Sequence, residues 1–125
     1  MDYTYLLIAI KAFIFISIIN VWFIRFSKPT PWRGKEAGSM QDEFEAYGLS
    51  STMMYLVGGL KVLCATGLLA SIWYPELAVP SAIGMAVLML GAIGMHLKVK
   101  DPLKKSFPAF SFLVLSLVIA GYNFL

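Results

Sequence analysis

Acidic residues are scarce in this sequence: seven among 125, none of them in the four long apolar stretches near 3–26, 52–73, 80–99 and 107–124. Cysteine is scarcer still. Cys64 stands alone, which excludes an internal disulfide, a CxxC redox pair and a cysteine-based zinc site. A single histidine, His96, adds little to a metal centre, so no metal ligand is assigned. No dinucleotide fingerprint, P-loop or nucleophile–base pattern occurs, and no residue is assigned a catalytic role. Charged residues make up 14% and hydrophobic residues 59%, which is too apolar for one small soluble core. The length leaves room for one domain, 1–125. The basic residues lie beside the apolar stretches, so they are read as topology signals, and no nucleic-acid partner is expected.

What the sequence has is hydrophobic runs of membrane length. Each of the four stretches, at helical rise, matches a hydrocarbon core of roughly 30 Å. The expected fold is therefore all-α: a polytopic membrane four-helix bundle running up-down-up-down, with two short turns and one longer loop. Pro29 and Pro31 end the first span, and Gly34 and Gly38 keep the loop after it loose. Within that loop, Ser39-Met40-Gln41-Asp42 has the form of a capping box, and Met40, Phe44 and Tyr47 follow at helical spacing. A short amphipathic helix over Met40–Tyr47 is predicted, ended by Gly48, lying on the membrane surface or capping the bundle. Further on, 74–79 reads as a polar turn, Pro80 suits the first turn of the third span, and Ser106 is placed to cap the fourth. Gly84, Gly91 and Gly94 share one face of the third span, which favours close approach of another helix.

Charge placement predicts orientation. On the side of the membrane reached by the first span's end lie Arg25, Lys28, Arg33, Lys35, Lys98, Lys100, Lys104 and Lys105, and none lies on the opposite side. The positive-inside rule then puts loops 27–51 and 98–106 in the cytoplasm and both termini outside, in a bacterial plasma membrane.

The two remaining cations, Lys11 and Lys61, fall inside spans. Lys61 lies about 13 Å deep from one side and Lys11 about 12 Å from the other. An intramembrane lysine costs about 2.5–3.5 kcal/mol on insertion scales and marks a functional site by default. With no carboxylate at their own depth, several arrangements would satisfy them. One lysine is neutral; carbonyls, Asn20, Ser17 or tyrosine hydroxyls bond the ammonium; or an acidic group arrives from Glu43, Glu45, an anionic ligand or another protein. Snorkelling to the headgroups is the structural alternative. Cys64 falls three residues after Lys61 on nearly the same face, and His96 sits one turn from the end of its span.

Two segments carry a family resemblance: Gly58-Gly59-Leu60-Lys61-Val62-Leu63, and the H-x-x-x-x-D-P-L-K run from His96 through Asp101 to Lys104. In these segments, and in its helix order and loop lengths, the chain resembles the DoxX-like family of small four-helix membrane proteins. The matching motif residues are Lys61, His96, Asp101 and Lys104. The wider family is similar to the membrane subunit of thiosulfate:quinone oxidoreductases, and a related branch includes an endoplasmic-reticulum chaperone for receptor assembly.

The residues and the resemblance together leave two functions as expectations. The first is a non-catalytic accessory subunit or assembly factor that engages another membrane protein, or a second copy of itself, through the glycine face and the loop helix. The second is a quinone- or lipid-binding subunit of a membrane oxidoreductase, with Lys61, Cys64 and His96 lining the pocket and Lys11, Glu43 and Glu45 available to it. A proton or ion transporter fits less well, because no span carries a carboxylate.

Overall fold

In the computed structural model, which describes residues 3–124, the chain is all-helical. Four helical segments are long and apolar enough to cross a membrane: Thr4–Ile24, Ser51–Ala70, Pro75–Lys98 and Leu103–Asn123. Helix α1 covers Thr4–Ile19 and continues as a π-helical segment over Asn20–Ile24. Helix α2 is the short Met40–Ala46, α3 is Ser51–Ala70, α4 is Ala78–Lys98 and α5 is Phe107–Phe124. Backbone hydrogen bonds closed within each helix are what lets these segments stand in hydrocarbon.

The helix ends follow local chemistry. The Ser39 hydroxyl accepts from the Asp42 backbone N–H at 3.1 Å, so it caps α2 as predicted. At the other end Gly48 has φ +79°, with Gly48 N–H donating to Glu45 O at 2.9 Å and Leu49 N–H to Phe44 O at 2.9 Å. That pair of bonds is a Schellman closure, and the left-handed residue it needs is a glycine here. Ser50 caps α3 by accepting from Met53 N–H at 3.1 Å.

Two expected boundaries are corrected. The 74–79 turn is largely helical: Pro75–Leu77 forms a 3₁₀ turn that runs directly into α4 at Ala78, so Pro80 is the third residue of the helix. Ser106 does not stand outside α5 as its cap. It closes a 3₁₀ turn, Leu103–Ser106, that passes straight into the helix, where Pro108 lacks only an N–H the first turn leaves unpaired anyway.

The core draws on all four spans: Ile14 of α1, Met54 and Leu68 of α3, Met85 of α4 and Ile119 of α5 are fully buried. Helices α3 and α4 approach closely at two small-residue contacts. A Cβ on Gly84 would stand 2.7 Å from Cys64 Sγ, and one on Gly67 would overlap the Ser81 side chain. Among the described residues the expected glycine face is used only at Gly84, since none of them lies within 4 Å of a Cβ built on Gly91 or Gly94. Met40, Phe44 and Tyr47 are buried, so α2 caps the bundle.

Candidate functional site

The connection after α1 and the turn before α5 meet at one end of the bundle, which carries most of the cations. Here Arg33 is only 2% exposed. Its guanidinium donates to Glu43 Oε2 at 2.9 Å, to the carbonyls of Lys28 at 2.9 Å and Arg25 at 2.5 Å, and reaches Met40 Sδ at 3.6 Å. Glu43 Oε1 accepts from the Tyr47 hydroxyl at 2.6 Å and from Gly34 N–H at 3.3 Å. Glu43, on α2, and Tyr47, its C-cap residue, are four residues apart, so they stand one above the other. Gly34 is required beside them: a Cβ there would meet the Tyr47 ring and hydroxyl at 2.6 Å. Burial first, and then the neighbouring Glu43 charge and hydrogen bond, push the Tyr47 phenol far above its usual range, against a smaller opposing pull from Arg33.

A second cluster ties the turn to the loop. His96 Nδ1 lies 2.8 Å from Asp101 Oδ2, and Asp101 Oδ1 accepts from Lys35 N–H at 3.0 Å. Burial alone would raise the Asp101 carboxyl. The hydrogen bonds from His96 and Lys35, with the charges of His96 and Lys105, outweigh it and hold the group below its ordinary range. Lys35, Glu36 and Lys100 all adopt left-handed backbone, at φ 55°, 56° and 61°. Such a conformation is uncommon for side chains of this kind. At Lys35 it brings the backbone N–H to Asp101. Lys98 Nζ donates to Tyr47 O at 2.8 Å and Lys105 Nζ to Arg33 O at 2.6 Å, while the Tyr47 ring meets His96 edge-on at 6.0 Å.

Below this cap lies a cavity of about 690 Å³, reaching from the loop into the spans between α1, α3, α4 and α5. That is within the roughly 300–1,000 Å³ of small-molecule sites. Its walls are mostly apolar, with Asn20, Glu43, Tyr47, Lys61 and His96 among the polar contributors. Lys61 Nζ sits 5.7 Å from the centre of the Trp22 ring, a cation–π distance. The ring packs over Gly58, where a Cβ would meet Trp22 Cε3 at 2.6 Å, and lies against Phe44 at 6.1 Å. Trp22 belongs to the π-helical segment, whose wider turn changes the register of α1 just where it meets the cavity.

Of the residues singled out from sequence, Lys61, His96 and Glu43 line this one cavity. Asp101 stands behind His96, and Lys104 is exposed. Cys64 is turned to the α4 contact at Gly84 and does not line the cavity. Lys11 is buried on α1 away from it, and Glu45 is exposed. Arg33, Lys105 and Trp22 were not foreseen as site residues. In a count of cations, Arg33 and Lys105 look like their exposed neighbours; only the placing of Arg33 between Pro31 and Gly34, ten residues before Glu43, hints at an enclosed position.

The sequence pattern of the DoxX-like family matches residues 33–120. The chain belongs to the DoxX-like family. With its four apolar helices, this DoxX-like chain is an integral membrane protein. The matched stretch opens at Arg33 and takes in Glu43, Tyr47, Lys61, His96, Asp101 and Lys105, so the cap and most of the cavity lie inside it. Helix α1, which supplies Asn20, Trp22 and Lys11, precedes it. A search of the curated proteins found no match, and neither did a search of the solved structures.

Proposed function

We propose that this DoxX-like protein binds one membrane-soluble molecule with a carbonyl-bearing or anionic head, a quinone or a lipid, with that head beside Lys61. In this reading it serves as the ligand-binding membrane subunit of an oxidoreductase of the thiosulfate:quinone type. The chain supplies binding and orientation, and electron transfer would be the quinone's own chemistry. One observation carries the reading. Lys61 stands on the wall of a mostly apolar cavity inside the span, with no hydrogen bond or ion pair among the described residues. A donor so placed lowers its own desolvation cost by meeting an acceptor. The neighbouring acid, Glu43, is already engaged by Arg33, Tyr47 and Gly34.

The test is native mass spectrometry of protein purified in mild detergent. Lys61→Met keeps a long apolar stem, so the fold should persist while the bound molecule is lost; Lys104→Met, on the surface, should retain it. Equal retention by Lys61→Met and the parent would refute the reading.

An accessory or assembly role is the second reading. It is favoured by Gly91 and Gly94, which leave space on α4 for the backbone of another helix. A protein that co-purifies, in place of an extractable small molecule, would decide for it. Both readings put the cation-rich end in the cytoplasm and both termini outside, with the spans alternating in direction. The eight-to-none split of loop cations supports that orientation.

A further inference from the structure

The cavity has an exposed wall that runs from near the cation-rich end to the depth of Lys61. Val87 and Met53 both line it, yet they are 62% and 39% exposed, and Gly91, also lining it, is exposed. Val87 lies eleven residues before Lys98, so about 16 Å along α4 from the cation-rich end. Lys61 lies ten residues after Ser51, so about 15 Å along α3 from the same end. Val87 and Lys61 are therefore level, near mid-membrane, where an exposed surface faces hydrocarbon; Gly91 and Met53, about 10 Å and about 3 Å along their helices from the same end, continue the exposed wall toward the headgroups. The helices explain the gap. Helices α3 and α4 touch at Cys64–Gly84 and Gly67–Ser81, nearer the opposite end, and toward the cation-rich end Met53, Val57 and Lys61 of α3 and Val87 and Gly91 of α4 line the cavity.

The cavity's other exposed rim, at Arg25, Pro31 and Trp32, lies outside the spans. Trp22 and the hydrogen-bonded Arg33–Glu43–Tyr47 cluster line the cavity with that rim.

The geometry points to a ligand that comes from the bilayer itself: a single-tailed molecule that slips sideways between α3 and α4, its head at Lys61 and its tail lying through the Met53–Val87–Gly91 gap. This inference rests on the binding site proposed above and adds the route and the shape of the ligand. A head with one tail suits the cavity's size, and the apolar gap bordered by Met53, Val57, Val87 and Gly91 suits a hydrocarbon chain. The head is acidic or carbonyl-bearing in either case, so a fatty acid and a short-tailed quinone share the chemistry.

The experiment uses the full chain in phosphatidylcholine nanodiscs, with Trp32→Phe and Trp73→Phe leaving Trp22 as the reporter. Two probes are added separately, a brominated palmitate and decyl-ubiquinone, each of which quenches tryptophan on contact. At least one should quench Trp22 saturably, and which one does so identifies the head; a two-tailed brominated phosphatidylcholine should quench far less. Gly91→Leu adds a branched side chain to this wall at a position where a Cβ meets nothing among the described residues within 4 Å, and it should slow the onset of quenching. It should also weaken binding about tenfold, the loss of roughly two buried methylenes. Gly94→Leu, one turn on and outside the cavity lining, should behave as the parent.

Parent-like rate and affinity in Gly91→Leu, with binding still dependent on Lys61, would overturn the lateral route and leave the binding site standing. Parent-like binding in Lys61→Met would instead sink the site. Quenching by neither probe would overturn the single-tailed, bilayer-derived ligand. Equal impairment by Gly91→Leu and Gly94→Leu would replace the gap with a helix-docking face.

Discussion

Gly58→Ala and Gly59→Ala change neighbouring residues by the same methyl group, and the structure gives them opposite consequences. Both should gain the helix-forming advantage of alanine over glycine, roughly 0.5–1 kcal/mol. Only the first meets an obstacle. Its Cβ would stand 2.6 Å from Trp22 Cε3, while nothing lies within 4 Å of the second. With Phe26 at 6.0 Å and Phe44 at 6.1 Å around it, the buried Trp22 ring could yield only toward the cavity it lines, disturbing its contact with Lys61. Overpacking of this kind costs about 1–3 kcal/mol. The propensity gain is common to both substitutions and cancels, so the gap between them should equal that overpacking cost. Equilibrium unfolding in mixed micelles, followed by tryptophan fluorescence, would measure it. Gly59→Ala should be at least as stable as the parent and Gly58→Ala should fall below both. If the two are equally stable, or Gly58→Ala is the more stable, the packing of α1 on α3 is wrong as described.

Two further outcomes rest on the cap and a third on the placing of the cations. Arg33→Met leaves the Glu43 carboxylate enclosed without its guanidinium and should cost about 3 kcal/mol in the same unfolding assay, the low end for a broken buried pair because Tyr47 and Gly34 still bond Glu43. The Asp101 carboxyl is held below its ordinary value in the folded chain, so its contribution to stability is fully present above the unfolded value of about 4 and is lost as pH falls through the lower folded value. Asp101→Asn should therefore destabilise at pH 7, and its deficit should shrink toward zero in unfolding curves measured below that range; a deficit independent of pH would refute the assignment. On a Cys64→Ser background, Ser39→Cys should be shielded from an impermeant thiol reagent outside intact cells and Glu76→Cys should label, and the reverse pattern would invert the proposed orientation.

The spans were legible because their signal is additive: some twenty apolar residues with no acid outweigh any local ambiguity. Helix α2 was legible for a different reason. Ser39 at its start and Gly48 after its end are stop and start chemistry that acts within a few residues. What sequence could not give was anything set by contacts between distant segments. Arg33 and Lys105 carry the same formal charge as Lys28 and Lys104, and only the docking of the loop on the last turn encloses one pair and exposes the other. Spacing put Cys64 near Lys61, but α4 comes close enough at Gly84 to take up the sulfur. The π-helical segment leaves no pattern in composition either. It becomes intelligible once Trp22 is seen filling the space that Gly58 leaves.

The most direct measurement is a structure of the protein in lipid nanodiscs at a resolution that shows ordered small molecules. The account predicts density for one single-tailed molecule, its head within hydrogen-bonding distance of Lys61 Nζ and its tail passing between Met53 and Gly91. A cavity closed by protein side chains, or Lys61 extended away from Trp22 toward the headgroups with no molecule beside it, would contradict it.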